Sequence, residues 1–179
     1  MLHALFRKAP VHGFPLEVTR LVFKVGDKVV YPMHGAGIIE AIEEREILGK
    51  KKMYYIMRLP LGDMKVMIPT DNVEEIGLRE IISRDEVKKV LEVLKTPKTK
   101  MSSNWNRRYR ANMQKIKSGN IYEVAEVVRN LQIRDIEKGL STGERKMLSN
   151  AKQILISELV LADNMTEEEA EAMIENLFE

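Results

Sequence analysis

The hydrophobic pattern of this 179-residue chain changes its period once, between Gly77 and Ser83. Before this point, apolar residues form short alternating stretches that end at glycines, which is typical of β-strands joined by tight turns. After it, apolar residues recur every three or four positions over long stretches, which is typical of amphipathic helices. The sequence therefore predicts an α+β protein, with an N-terminal antiparallel β module followed by a C-terminal all-α helical bundle.

The first half predicts a small, strongly bent antiparallel sheet of Tudor or SH3 type. Residues 38–47 predict one long strand, residues 48–51 a hairpin turn and residues 53–59 the returning strand. Another strand is expected over residues 64–68. The glycine-rich segment 35–37 is expected to interrupt the sheet as a turn, because it lacks the helix and the third glycine of a dinucleotide-binding loop.

The second half contains three capping boxes, each a Ser or Thr followed three residues later by Glu: Ser83 with Glu86, Ser141 with Glu144, and Thr166 with Glu169. In a capping box the two side chains bond each other's backbone N–H groups, so each box predicts the start of a helix. The predicted domains are 22–78 for the β module and 83–179 for the bundle. Residues 1–21 are interpreted as a leader outside both domains, for which a non-native extension is one explanation.

Positive charge is concentrated between Lys95 and Lys117, a stretch with eight basic residues, no acidic residue and the only tryptophan of the chain, Trp105. The formal net charge of the whole chain is only +2, so this positive charge is local. A polyanion is the natural partner of such a patch. An aromatic side chain among arginines can also act as a wedge or stacking platform for bases.

A second interpretation of the same stretch treats Trp105 as part of the core. Trp105, Tyr109, Met113 and Ile116 have the spacing of one helix face, and a side chain as large as tryptophan is usually buried. The arginines would then form a merely solvated face. The single sign of the charge and the position of Trp105 at a helix start favour nucleic-acid binding, and both interpretations remain open on the residues alone.

The residues offer little for catalysis. There is no cysteine, which fits a reducing, cytoplasmic environment, and His34 is the only histidine outside the leader. The chain has no P-loop and no Gly-x-Ser-x-Gly motif, and no apolar stretch reaches the roughly 20 residues that span a bilayer. We therefore expect no enzyme activity, no catalytic residue, no metal site, no cofactor and no membrane or small-molecule partner.

Two segments resemble the CarD family of bacterial transcription regulators, also called CarD-like or CdnL proteins. Residues 23–35 (FKVGDKVVYPMHG) resemble the opening of the family, and residues 104–112 (NWNRRYRAN) resemble its DNA-contacting helix. Residues 124–129 and 139–148 continue the match in the same order. The N-terminal motif is also similar to a module of the transcription-repair coupling factor, but the helical half favours CarD.

The resemblance implies that the β module binds the β subunit of bacterial RNA polymerase, partly by strand pairing. Arg45 and Ile47 occupy positions where family members contact polymerase. A second, basic contact position of the family corresponds to Met67 here, which departs from the pattern and weakens the charged part of the expected interface.

The resemblance also implies that the bundle binds promoter DNA at the upstream edge of the melted region. Trp105 matches the family's minor-groove wedge, and four arginines match or extend its basic contacts: Arg107, Arg108, Arg110 and Arg145. The expected function is to stabilise the promoter open complex, at the nucleoid through RNA polymerase. Two alternatives stay open, namely a stand-alone non-specific DNA-binding protein and an adaptor that binds an acidic protein, with Trp105 buried.

Overall fold

The structure, a computed structural model, describes residues 22–179, so the predicted leader 1–21 lies outside the described residues. Within them, the chain forms one antiparallel sheet followed by a bundle of helices, which confirms the predicted α+β class. The strands are β1 (Lys28–Tyr31), β2 (Gly35–Ile47), β3 (Lys50–Arg58), β4 (Lys65–Pro69) and β5 (Arg79–Glu80). The helices are α1 (Val73–Ile76), α2 (Arg84–Lys95), α3 (Trp105–Lys117), α4 (Ile121–Lys138), α5 (Thr142–Asp163) and α6 (Glu167–Glu175).

The sheet has the strand order β4-β3-β2-β1-β5, and the long strand β2 is its centre. The register between β2 and β3 shifts between Ile39 and Ala41, so β2 carries a bulge that bends it. The first part of β2 pairs with β1, and the part after the bulge pairs only with β3. One face of this sheet forms a small core around Val29, Tyr55 and Ile68, all fully buried.

Strand β2 begins at Gly35, so the expected turn at residues 35–37 is wrong: these residues pair with β1. A Cβ on Gly37 would lie 2.6 Å from the carbonyl oxygen of Arg58, and one on Gly35 would lie 2.6 Å from Ser157 Oγ. Glycine is therefore used here for close backbone packing inside a strand. Strand β5, at 79–80, was also not predicted, because a two-residue strand has no periodicity of its own.

The bundle follows the capping pattern. All three predicted capping boxes are present, with the side chain of the Ser or Thr accepting a hydrogen bond from the N–H of the Glu and that Glu accepting in return. Helices α4 and α5 form the centre of the bundle. Their inward faces bury Leu131, Leu155 and Leu159 completely, and the other helices pack around them.

The two modules are joined by buried polar contacts. Arg79, on β5, donates to both carboxylate oxygens of Glu158 on α5 at 2.7 and 2.9 Å, and to the carbonyl of Gly119 at 2.8 and 2.9 Å. Nearby, the N–H of Ala36 donates to Ser157 Oγ at 2.9 Å. Because Glu158 is fully buried, these bonds fix the position of the sheet against α5.

Candidate nucleic-acid and protein interfaces

Trp105 is the first residue of α3 and lies at the surface, where the residue is 42% exposed. Its ring stacks on Tyr109, with centroids 5.1 Å apart and 26° between the planes. Its Nε1–H donates to Ser141 Oγ at 3.0 Å, the hydroxyl that caps α5. The indole is therefore held from behind by two helices while a large part of it faces solvent.

The helix stripe that begins at Trp105 becomes progressively buried along α3. Tyr109 and Met113 are half-buried and Ile116 is fully buried. Only the far end of the predicted stripe thus belongs to the bundle core, and an interpretation with Trp105 as a core residue does not fit its exposure. Asn104 caps the helix by accepting from the N–H of Arg107 at 3.0 Å, which explains why α3 starts at the tryptophan.

Arg107, Arg110 and Arg145 are exposed, and none of the three forms an ion pair with a residue in the described part of the chain. Arg107 and Arg110 extend from α3, on the same helix as Trp105, and Arg145 extends from the first turns of α5. The two helices that hold Trp105 thus carry three unpaired guanidinium groups, whose positive charge suits them to bind phosphates.

Arg108 differs from these three. Only 4% of its side chain is exposed, and its Nε donates to Glu144 Oε1 at 2.6 Å. Its Nη1 donates to the carbonyls of Ser102 and Ser103 at 2.8 and 3.1 Å. This placement is at odds with the expectation that Arg108 contacts DNA directly, and it makes Arg108 a support for the segment that leads into Trp105.

Glu144 connects this support to the capping box of α5. Its other oxygen, Oε2, accepts from the N–H and the hydroxyl of Ser141, whose Oγ in turn accepts from Trp105. Burial would raise the pKa of Glu144, but the hydrogen bonds from Arg108 and Ser141 outweigh burial and hold the pKa below its usual value. Glu144 is therefore charged at neutral pH and keeps both Arg108 and Ser141 in place.

Sequence reasoning missed a second buried network, which holds the loop between α2 and α3. Asn130, on α4, is 1% exposed and accepts from the N–H of Thr99 at 3.0 Å, and Arg129 beside it donates to the carbonyl of Val93 at 3.1 Å. Polar residues inside an amphipathic helix signal such contacts, but their partners 30 or more residues away cannot be read from the pattern.

The three predicted polymerase contacts lie on one face of the sheet. Arg45 pairs with Lys52 across β2 and β3, and Met67 pairs with Ile56 across β3 and β4. Because side chains alternate along a strand, Arg45, Ile47 and Met67 point to the same side, opposite the small core. Arg45 is 53% exposed on its side chain, and Ile47 and Met67 are exposed as well.

Strand β2 also has an unpaired edge. After the bulge, residues 41–47 pair only with β3, so their other edge is free among the described residues. At the tip of the β2–β3 hairpin, Leu48 is 98% exposed. A free strand edge beside exposed apolar side chains is suited to binding another protein by strand addition.

The fold and these surfaces define a protein with a β module that presents an exposed sheet face and a free strand edge, and a bundle that presents a cationic, aromatic surface. Residues 23–82 match the family model described as the CarD-like/TRCF RID domain, and residues 89–175 match that of the CarD C-terminal domain. The chain is also 43% identical over 148 residues to a Bacillus subtilis (strain 168) protein described as putative transcription factor YdeB. That alignment covers 83% of this chain and 97% of the relative.

The chain therefore belongs to the CarD family. No helix within residues 22–179 combines the length and the apolar character that crossing a membrane requires. In the same residues, His, Asp and Glu side chains do not gather into a group of three or more that could hold a metal ion.

Proposed function

We propose that this protein is a transcription regulator that binds the β subunit of bacterial RNA polymerase and stabilises the promoter open complex. In this proposal it acts in the cytoplasm, at the nucleoid, with no catalytic step of its own. The observation that supports it most directly is Trp105, which is exposed and stacked on Tyr109, on a helix that also carries unpaired arginines. The similarity to a protein described as a transcription factor agrees with it.

The mechanism follows from differential binding. A rigid aromatic side chain enters a minor groove most easily where bases are already partly unstacked, at the upstream edge of the melted region. It therefore binds the open promoter better than the closed duplex, and it shifts the equilibrium by that difference in affinity. Unstacking costs a few kcal/mol, which tethering through polymerase helps to offset.

In this proposal Trp105 is the wedge, and Arg107, Arg110 and Arg145 contact phosphates. Arg108 does not contact DNA but holds the segment before Trp105 through Glu144. Arg45, Ile47 and Met67 form the polymerase-binding face, with the free edge of β2 available for strand pairing.

The test of the wedge is the lifetime of open complexes formed by a matched holoenzyme on an unstable promoter. Wild type should lengthen this lifetime, and Trp105→Ala should lose most of the effect although it is folded. Trp105→Phe, which keeps a flat ring, should retain part of it. A wild-type protein without effect would refute the proposal, and a fully active Trp105→Ala would refute the wedge.

The test of the polymerase face is binding to the β subunit. Arg45→Glu should weaken binding at least tenfold, because it reverses an exposed charge on the proposed interface. Lys24→Glu makes the same change at an exposed position before β1 and serves as the control. Equal binding by both variants would contradict the assignment of this face.

A further inference from the structure

A cavity of about 580 Å³ lies between the loop that joins α2 to α3 and the last turns of α4. Its lining includes four basic side chains and one acidic side chain: Lys98, Lys100, Arg134, Lys138 and Glu137. We propose that this cavity is a binding site for a phosphate-bearing ligand, separate from the surface around Trp105. A cavity of this size accommodates a small molecule or a few phosphate groups.

The loop wall of the cavity is held in place by buried polar side chains. Asn130 fixes the backbone of Thr99, and Arg108 fixes the carbonyls of Ser102 and Ser103. Asn130 and Arg108 are 1% and 4% exposed, so these bonds are shielded from water. The cations on this loop are therefore presented by an ordered backbone, which lowers the entropic cost of binding an anion.

The opposite wall contains the guanidinium group of Arg134. Arg134 Nε is buried and makes no hydrogen bond with any described residue. The Glu144 carboxylate lies 4.0 Å from it and also accepts from Arg108, so the two arginines share this carboxylate. Nε itself is shielded, but 28% of the Arg134 side chain is exposed, so its positive charge contributes to this wall.

The excess of positive charge in the cavity favours an anionic ligand. Lys98 is paired with Glu137, and Arg134 shares Glu144 with Arg108, which leaves Lys100 and Lys138 as lining cations without an ion-pair partner in residues 22–179. Guanidinium and ammonium groups around hydroxyls such as that of Ser103 match the several acceptor oxygens of phosphate. The proposed ligand is a small phosphate-bearing molecule, and the DNA backbone beyond Trp105 is the other source of the same chemistry.

The first experiment measures binding of inorganic pyrophosphate to the full chain by calorimetry at low salt, without polymerase or DNA. Lys100→Gln and Arg134→Gln should each weaken binding at least tenfold. Lys88→Gln, which removes the same charge from an exposed position on α2, should leave it unchanged. Lys100 is exposed, so its variant keeps the test valid if Arg134→Gln fails to fold.

The second experiment measures affinity for a short duplex as a function of salt with the same variants. Loss of one phosphate contact lowers the slope of log K against log salt by about 1. Pyrophosphate binding with an unchanged slope supports the separate site, whereas a lower slope in Lys100→Gln with no pyrophosphate binding makes Lys100 part of the DNA surface and overturns it. Absence of both effects overturns the proposal and leaves the open-complex function untouched, because that function is tested separately through Trp105.

Discussion

Arg107 and Arg108 are adjacent arginines of the same basic stretch, but their environments are opposite. Arg107 is exposed, whereas Arg108 is buried against Glu144. Removing one partner of a buried pair leaves the other charge uncompensated. We expect Arg108→Gln to lower the free energy of unfolding by about 3 kcal/mol, and Arg107→Gln to change it by less than about 0.5 kcal/mol. Urea unfolding followed by circular dichroism measures both, and equal losses would show that Arg108 does not act as described.

The same pair makes stability depend on pH. The pKa of Glu144 is lowered in the folded protein, so its contribution is complete above the usual value of 4.5 and is lost as the pH falls through the lower, folded pKa. Wild type should therefore exceed Glu144→Gln in stability by a larger margin at about pH 6.5 than at about pH 3.5. Urea unfolding of both proteins at the two pH values tests this, and a margin independent of pH would contradict it.

At the scale of single elements, two glycines near the junction of α4 and α5 have different roles. Gly143 is inside the first turn, where a Cβ would lie 3.5 Å from Trp105 and 3.7 Å from Tyr109, at ordinary contact distance. Gly139 ends α4 with a positive φ of 75°, which L side chains rarely adopt. Gly143→Ala should stabilise the protein by about 0.5 kcal/mol, and Gly139→Ala should destabilise it by about 1 kcal/mol. Thermal unfolding of the two variants measures these changes in stability. If both substitutions stabilise the protein, the positive φ of Gly139 does not disfavour a side chain there.

Among these elements, the sequence predicts the features that depend on residues close together in the chain. The capping boxes at Ser83, Ser141 and Thr166 were predictable because their hydrogen bonds span three residues. The place of Trp105 at a helix start favoured an exposed position, but the sequence left a core position open as well. The burial of Arg108 was not, because Glu144 is 36 residues away and both belong to patterns that are normally solvated.

The same reasoning explains the errors in the β module. Gly35 and Gly37 resemble turn residues in the sequence, and their place in β2 is set by Ser157 on α5 and by Arg58 on β3. The three sheet-face residues Arg45, Ile47 and Met67 remain predicted contacts. Strand alternation alone explains why they share a face, but it does not identify what binds there.

At the scale of the whole molecule, the distance between the sheet face and Trp105 matters, because a tether helps only if both surfaces reach their targets together. Arg79 fixes that distance with two bonds to buried Glu158 and two to the carbonyl of Gly119. Arg79→Lys keeps the charge but cannot make this forked contact. We expect it to cost about 2 kcal/mol of stability, since hydrogen bonds to a charged group are lost.

The Arg79→Lys variant also tests the rigid connection between the modules independently of the two binding surfaces. Arg79→Lys should bind the polymerase β subunit as wild type does, because Arg45, Ile47 and Met67 are unchanged, but should lengthen open-complex lifetimes less. Arg84→Lys is the matched control, since Arg84 pairs with Asp163 at the surface and its side chain is 80% exposed. Parallel measurements of β-subunit binding and open-complex lifetime test this at a temperature where all variants are folded. Full activity of Arg79→Lys would show that the linkage between sheet and bundle can be loosened without moving Trp105 away from the DNA.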